Sequence, residues 1–220
     1  MHLSKSLLIL AALSSLAAFA QDKMGYVNMA DLFEGYYKTV NANIIFENRK
    51  KEFEDRMNLL RVEVENAGKD ARSMEVEARN ELLSKEAREE AMRKFRVRAD
   101  VFSQKREEFE RARQKGMADL RRVQFSTEEG LIKDLAELVK KFAKDNGYTH
   151  VFDVSGQSMN RMPTLLVYPE QQDITKDLLQ VVNNGHETEL KEATEKLEAI
   201  RKSGREEANK NIKPNSDENK

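Results

Sequence analysis

Residues 47–78 read ENRKKEFEDRMNLLRVEVENAGKDARSMEVEA, and their apolar side chains recur at alternating steps of four and three. The series is Phe53, Met57, Leu60, Val64, Ala67, Ala71, Met74 and Ala78. This spacing places every member on one stripe of a helix, which is the heptad seam of a coiled coil. Charged residues of both signs occupy many of the other positions. We therefore predict one long helix whose seam packs against a partner helix.

A second apolar run follows and supplies that partner. Its members are Met92, Phe95, Ala99, Phe102, Phe109, Leu120 and Val123, and its seam is interrupted where expected apolar positions hold Arg106, Arg113 and Gly116. Between the two runs lies Asn80–Ser84, where Ser84 is a predicted helix N-cap with Glu86 in the first turn. The pattern predicts a helical hairpin with its tip near Asn80–Ser84. At a rise of 1.5 Å per residue, each arm would be about 50–60 Å long.

The composition fits exposed helices better than a large spherical core. Charged residues make up 35% of the 220 residues, tryptophan is absent, and the formal net charge is −1. A balanced charge at this density favours helices with paired charges over a disordered polyanion, and it gives no overall basic attraction to nucleic acid. The absence of cysteine excludes disulfides, thiolate catalysis and thiolate zinc sites.

Residues 1–20 have the pattern of a secretory signal peptide. Lys5 lies near the start, an apolar run covers Leu7 to Leu16, and small side chains stand at Ala18 and Ala20. The alternative, an uncleaved membrane anchor, is weaker because the apolar run is short for a bilayer span. No cysteine follows the cleavage site, so a lipoprotein anchor is excluded. We therefore predict a secreted, soluble protein.

Three β-prone segments flank the hairpin in the sequence: Met24–Met29 before it, and Tyr148–Val154 and Thr164–Tyr168 after it. The last two are predicted to pair as a β-hairpin. Three short strands and two short helices make a thin core. Pairing with further copies of the chain would stabilise such a unit and would cover its sheet edges. We predict an α+β fold in which the long helical hairpin is inserted in a small β-sheet body that oligomerises.

The predicted boundaries follow from these elements. The chain divides into a signal peptide (1–20), a β-rich body (21–46 and 140–185), a helical arm (47–139) and a C-terminal tail (186–220). In the tail, a short amphipathic helix is indicated by Leu190, Ala193, Leu197 and Ile200. The remainder of the tail, from Ser203 to Lys220, is polar enough to be predicted disordered.

Four features in this order carry a family resemblance. They are Gly25–Met29 with Leu32 and Phe33, the long charged hairpin, Gly147–Val154, and the segment Asp173–Leu179. Together they resemble the Skp/OmpH family of periplasmic chaperones over about Lys23 to Asn183. The resemblance implies a jellyfish-like homotrimer, with a β-barrel body built from all three subunits and three helical arms around a cavity. It also implies periplasmic binding of unfolded outer-membrane proteins without ATP. The tail departs from the pattern.

Two sets of residues are predicted to make protein contacts. The oligomer interface is expected to contain the sheet residues Tyr26, Val27, Val151, Phe152, Val154, Leu165 and Val167. Apolar residues that lie off the hairpin seam are assigned to client binding, because a two-helix hairpin buries only one stripe of each helix. They are Leu59, Val62, Val76, Val97 and Val101. The alternative is that they are ordinary scattered surface residues.

The return arm is basic. From Arg93 to Arg122 there are eleven Lys or Arg residues and five Asp or Glu residues, a net charge of +6. One interpretation is a field that attracts acidic unfolded chains, or the phosphate groups of anionic lipid and lipopolysaccharide. The other is an ordinary solvated helix face with local ion pairs. The residues assigned to client binding are Arg93, Lys94, Arg96, Arg98, Arg106 and Arg113. Secretion argues against nucleic acid as the partner.

The function predicted from these features is that of an ATP-independent holdase chaperone. The alternative is a secreted coiled-coil spacer or scaffold that binds one folded partner. Catalysis is not expected, because residues 21–220 contain only His150 and His186 as histidines and show neither a nucleophile elbow nor a glycine-rich phosphate loop. No cofactor and no metal are expected.

Overall fold

The computed structural model describes residues 22–212, with side chains described up to residue 207. In chain order the elements are β1 (Met24–Val27), α1 (Met29–Glu34), α2 (Tyr37–Ala78), α3 (Lys85–Asp145), β2 (His150–Asp153), a 3-10 turn (Glu170–Gln172), α4 (Thr175–Val182) and α5 (Glu187–Ile212). The predicted signal peptide lies outside the described residues. The described chain divides into a body unit of residues 22–37 and 132–187, and an arm unit of residues 38–131 and 188–212.

The body unit contains a two-stranded sheet. Strands β1 and β2 pair in parallel, with Met24 opposite His150 and Val27 opposite Asp153. The other edge of β1 meets the chain that enters α4, where the Ile174 amide donates a 2.8 Å hydrogen bond to the Tyr26 carbonyl. Both edges of β1 are therefore used within one chain, while β2 is paired on one side among the described residues.

The predicted third strand, Thr164–Tyr168, is absent from the described sheet, and so is the β-hairpin that was expected to contain it. Two prolines, Pro163 and Pro169, flank this segment and cannot donate to a ladder. Within the chain, the segment's antiparallel contact is reduced to one bridge between Gln157 and Pro163. The segment has no regular secondary structure and bends at Thr164 and Leu166, and Val167 in it is 88% exposed.

The core of the body unit is small and comes from β1, α1, α3, α4 and the residues just before α2 and α4. Its buried residues are Val27, Leu32, Tyr36, Leu135, Val139, Ile174, Leu178 and Val182. Helix α1 is capped by Asn28, whose side-chain oxygen accepts from the Asp31 amide at 3.1 Å. At the far end of α3, Gly147 adopts φ +71° directly after Asn146, a left-handed conformation that glycine commonly supplies where a helix ends.

A buried asparagine, Asn183, joins two parts of the body unit. Its side-chain oxygen accepts from the Tyr37 amide at 2.9 Å, and its side-chain nitrogen donates to the Gly35 carbonyl at 2.8 Å. The first of these bonds satisfies an amide at the N-terminus of α2, which has no partner inside its own helix. Asn183 is 7% exposed, so both bonds lie away from water.

The arm unit contains the predicted helical hairpin. Helix α2 ends at Ala78 and α3 begins at Lys85, so the turn lies where the sequence predicted it. Ser84 caps α3 as predicted, because its hydroxyl accepts from the Ala87 amide at 3.2 Å. Backbone and Ser84 hydrogen bonds lower the pKa of Glu86 in this first turn. All eight residues of the predicted α2 seam are buried or half-buried.

The predicted interruption of the α3 seam is wrong in detail. Arg106 and Arg113 are exposed and lie beside the seam, whose positions are taken by the half-buried Lys105 and Ala112. Gly116 does lie on the seam, but it makes room for the ring of Phe53, which a Cβ at that position would strike. Gly68 on α2 receives the ring of Phe102 in the same way. Judged by periodicity alone, Gly116 is a break in the seam, whereas in the structure it is the position that receives the Phe53 ring.

Lys105 gives the seam one polar layer. Its ammonium donates to Glu63 on the opposite helix at 2.7 Å and to Glu108 on its own helix at 3.1 Å. These hydrogen bonds raise the pKa of Lys105, with Glu63 the larger cause. The long aliphatic stem fills the seam while the charge reaches its partners at the edge.

Helix α5 packs on the first turns of α2 within the arm unit. Val40 and Ile44 of α2 form an apolar cluster with the tail residues Leu190, Ala193, Leu197 and Ile200, which is the predicted apolar face. The helix is longer than expected: it continues to Ile212, so residues 203–212 are helical and not disordered. Residues 213–220 lie outside the described part. Polar pairs extend the contact, with Asn41 donating to Glu189 and Lys51 lying 3.7 Å from Glu207.

Candidate functional site

Apolar side chains point away from the hairpin seam on both arms. Leu59, Val76 and Val97 are 69%, 71% and 63% exposed, although they belong to helices whose paired faces are buried. Leu59 and Val62 are three residues apart, so they share one face of α2. Val97 and Val101 are four residues apart and share a face of α3. The five residues predicted for client binding therefore form two outward apolar stripes, one on each helix.

Of the exposed apolar residues of the hairpin that the sequence reasoning missed, two are exposed the most. Leu82 in the turn is 94% exposed, and Phe125 on α3 is 70% exposed. Phe125 comes two residues after the seam residue Val123, which turns it to the outer face of the helix. Continuing the heptad beyond Val123 would have identified it. Leu82 gave no periodic signal because it lies between the helices.

The six basic residues assigned to client binding differ in their surroundings. Lys94 donates to Glu90 of its own helix at 2.9 Å, which raises the pKa of Lys94 and lowers that of Glu90. Arg113 makes two hydrogen bonds to Glu110. The Arg106 guanidinium lies 5.7 Å from the centre of the Phe102 ring. Lys94 and Arg113 are therefore paired with acidic neighbours, and Arg106 lies near an aromatic ring. Such local contacts are what the alternative interpretation, a solvated helix face, predicts.

The other three, Arg93, Arg96 and Arg98, are exposed and form no ion pair with any described residue. Arg93 precedes Val97 by one helical turn, so a cation and an apolar side chain are neighbours on the α3 surface. This arrangement gives a flexible peptide both a charge to pair with and an apolar surface to contact. It requires no single partner sequence.

A shallow groove of about 340 Å³ runs beside the seam near the middle of the hairpin. Val101 and Ala67 provide apolar surface in it. Two acidic residues of α2, Glu63 and Asp70, and two basic residues of α3, Arg98 and Lys105, also line it. The groove joins Val101 and Arg98, two of the residues assigned to client binding. The remaining assigned residues lie along the outer faces and do not line it.

A model of one protein family, described as outer membrane protein (OmpH-like), matches residues 23–182. This match covers well over half of the chain. The chain belongs to the OmpH-like family. The resemblance inferred from the sequence is thereby confirmed. None of the curated proteins compared with the chain matches it.

The OmpH-like match ends at Val182 and thus stops before α5. Both strands, helices α1 to α4 and the turn of the hairpin fall inside it, whereas residues 183–187 of the body unit lie beyond it. The helix that packs on Val40 and Ile44 is an addition to the matched region. A role for α5 must therefore be argued from its own contacts.

The body unit of this OmpH-like chain presents an aromatic and apolar surface. Tyr26 stacks with Phe152 at 5.8 Å and with Tyr168 at 5.2 Å between ring centres. Of the residues predicted for the oligomer interface, Phe152 and Val167 are exposed, whereas Tyr26, Val151, Val154 and Leu165 are half-buried. Val27 is 2% exposed because its own chain covers it. Another copy of the chain therefore cannot contact the Val27 side chain directly.

The two histidines make ring contacts. His186 stacks on Tyr37 with 3.8 Å between ring centres, and His150 lies parallel to Phe152 at 6.1 Å. Across residues 22–212, no group of three His, Asp or Glu side chains is arranged to hold a metal ion. Nor does any helix in that range have the length and apolar character to cross a bilayer.

Proposed function

We propose that this OmpH-like chain is an ATP-independent holdase chaperone of the periplasm. It binds unfolded outer-membrane proteins in a cavity between the helical arms of a homotrimer and keeps them from aggregating. Its family membership and the exposed apolar stripes on the arms support this function. The observation that carries the proposal is that Leu59, Val76 and Val97 are each more than 60% exposed, while the seam of the same helices is buried. Most of the surface of these side chains faces solvent and is available to a client.

Capture rests on many weak contacts. A single exposed valine or leucine contributes little binding energy, but a client that touches several along two arms gains from their effective concentration. Each contact is released quickly, so the client stays mobile. Folding of the client into a membrane then removes it without an energy source.

The unpaired arginines contribute to the encounter. Arg93, Arg96 and Arg98 attract acidic segments of an unfolded chain. The same charges would attract phosphate groups of anionic lipid or lipopolysaccharide. Exposed charges are screened beyond about 8 Å at physiological salt, so this attraction raises the association rate mainly at low salt.

The homotrimer forms through the body unit in this proposal. One edge of β2 is unpaired in the described chain, and the segment 164–168 has two exposed apolar side chains, Leu166 and Val167. An unpaired strand edge can accept a backbone partner from another copy, and the exposed side chains of the segment can pack against that copy. Phe152 and Val167 are the residues that a neighbouring copy would cover.

The holdase function is tested by diluting a urea-unfolded outer-membrane β-barrel protein into buffer with stoichiometric chaperone and recording light scattering. The parent chain should suppress scattering without nucleotide, and replacing Leu59, Val76 and Val97 by serine should speed client release several-fold. Suppression for several unrelated unfolded proteins is expected of a holdase. Binding of one folded protein only would instead favour a coiled-coil scaffold.

The role of charge is tested by stopped-flow binding over a range of salt concentrations. Replacing Arg93, Arg96 and Arg98 by glutamine should flatten the salt dependence of the association rate and change dissociation less. The control replaces Glu107 and Arg111 by glutamine together, which removes an ion pair of the same helix without changing the net charge. If the triple-arginine variant keeps the full salt dependence of the association rate, the basic arm is only a solvated helix face and does not take part in capture.

The oligomer is tested by light scattering of Phe152→Asp and Val167→Asp variants. Val167 is 88% exposed, so a carboxylate there is tolerated by the monomer fold. Phe152 also stacks on Tyr26 of its own chain, so circular dichroism first establishes that Phe152→Asp is folded. Both variants should have the mass of one chain. A trimeric mass for both would exclude these residues from the interface.

A further inference from the structure

A second groove lies within the arm unit between α2 and α5, and it has a volume of about 670 Å³. Its apolar surface comes from Phe53 and Met57 on α2 and from Ile200 on α5. It begins where the apolar cluster around Val40 and Ile44 ends, because α5 carries no large apolar side chain from Arg201 to Glu207. The groove exists only because the chain continues beyond the region matched by the family model.

The groove's charge is balanced. Four acidic and four basic side chains line it. Some of them pair across it, since Arg201 lies 3.8 Å from Glu47 and Lys51 lies 3.7 Å from Glu207. Asp55 and Arg205 make no ion pair with a described residue. A polyanion such as nucleic acid or lipopolysaccharide would meet as many like charges as opposite ones, so this lining suits a partner with apolar and mixed polar groups.

The groove's length also indicates the form of the partner. Its α2 side runs from Glu47 to Asn58, which is about 16 Å at a rise of 1.5 Å per residue. An extended strand rises about 3.3 Å per residue, so about five residues fit along it. Transmembrane β-strands alternate apolar and polar side chains. Such a strand, while unfolded, can direct apolar groups to Met57 and Ile200 and polar groups to the charged rims.

We propose that the groove between α2 and α5 is a second client-binding site, which takes an extended segment of an unfolded β-barrel protein. This proposal rests on the holdase function proposed above and assigns to α5 a direct contact with the client. Met57 suits the task because a thioether side chain adapts to different partner shapes.

The first experiment uses the absence of cysteine. A photo-crosslinker attached to Ser203→Cys in the full chain reports on the groove, because Ser203 is exposed and lines it. Gly130→Cys on the opposite arm is the control site; it is exposed and does not line the groove. With a urea-unfolded eight-stranded outer-membrane β-barrel protein as the probe, adducts should form at position 203 in clear excess over position 130.

The second experiment fills the groove. A Cβ at Gly204 meets no atom within 4 Å, so Gly204→Leu places an isobutyl group in the groove without a clash. It should weaken probe binding about tenfold, the equivalent of denying burial to one apolar side chain. Gly204→Ala makes the same gain in helix propensity without the bulk, and Gly130→Leu adds the same bulk elsewhere in open space. Both controls should bind the probe as the parent does.

The outcomes separate this proposal from the holdase function. If the parent suppresses aggregation but position 203 gives no excess adduct and Gly204→Leu binds the probe normally, the groove is not a client site and the holdase proposal stands. Adducts between two copies of the chain in the absence of probe would assign the groove to self-association and overturn the client assignment. If the parent fails to suppress aggregation, both proposals fall together.

Discussion

The two side-chain hydrogen bonds of Asn183 allow a quantitative test of the body unit. Replacing Asn183 by alanine leaves the Tyr37 amide and the Gly35 carbonyl without these partners, and both bonds are 2.9 Å or shorter in the folded chain. A buried hydrogen bond contributes about 1 kcal/mol, and a buried polar group left unsatisfied costs about 1–3 kcal/mol. Asn183 is 7% exposed, so water does not readily replace it. We expect Asn183→Ala to lower the free energy of unfolding by about 2–4 kcal/mol.

For a chain of this size, a loss of this magnitude corresponds to a fall in Tm of roughly 5–15 °C. The assay is thermal unfolding followed by circular dichroism at one fixed protein concentration, since oligomers unfold in a concentration-dependent way. Asn183→Asp keeps an acceptor for the Tyr37 amide but sets a buried carboxylate oxygen against the Gly35 carbonyl, so it should lose at least as much stability as Asn183→Ala. The neighbouring Asn184 is exposed, and Asn184→Ala should change stability by less than about 0.5 kcal/mol. Equal stability of the two alanine variants would refute the argument that Asn183 joins the two segments.

Two further predictions concern the hairpin. Gly116→Leu should destabilise the arm unit by about 1–3 kcal/mol, because the new side chain takes the space of the Phe53 ring. Gly130→Ala should instead stabilise it by about 0.5–1 kcal/mol. Chemical unfolding measures both changes, and an unchanged stability of Gly116→Leu would contradict the contact between the Phe53 ring and Gly116. The raised pKa of Lys105 means that its bond to Glu63 contributes fully at neutral pH and is lost as pH rises past 10.5 and through the raised folded value. Replacing Glu63 by glutamine should therefore reduce the alkaline loss of hairpin stability followed by amide exchange or circular dichroism, and an unchanged alkaline profile would show that the pair does not couple to folding.

The helical hairpin was predictable because its signals are local. The α2 seam repeats in heptads, and Ser84 and Gly147 supply the cap signals at the tip and at the end of α3. The register of α3 was not predictable in the same way. A rule that expects large apolar residues on a seam counts Gly116 as a break and gives no reason to place Lys105 there. Glycine suits position 116 because the Phe53 ring packs against it, and lysine suits position 105 because it pairs with Glu63.

The sheet could not be derived from alternation alone. Thr164–Tyr168 has the composition of a strand, but a strand needs a partner edge, and both edges of β1 are already used by β2 and by the chain at Ile174. Nor did sequence show that α5 would continue past Ser203, since its distal half lacks an apolar stripe. The exposed residues of the candidate site were predictable from their positions off the seam. Which of the six cations are paired depended on rotamers that only the structure provides.

The parallel pairing of β1 with β2 also fixes the order in which the molecule is completed. Met24 and His150 are neighbours in the sheet, so β1 has no partner strand until the whole hairpin has been translated. Closing so long a loop is entropically costly and slow in an unfolded chain. Contacts within the hairpin, such as Phe53 against Gly116, shorten the disordered path that remains between the strands. The hairpin is thus expected to form before the body, and a chain that ends before His150 should acquire helix without acquiring a sheet.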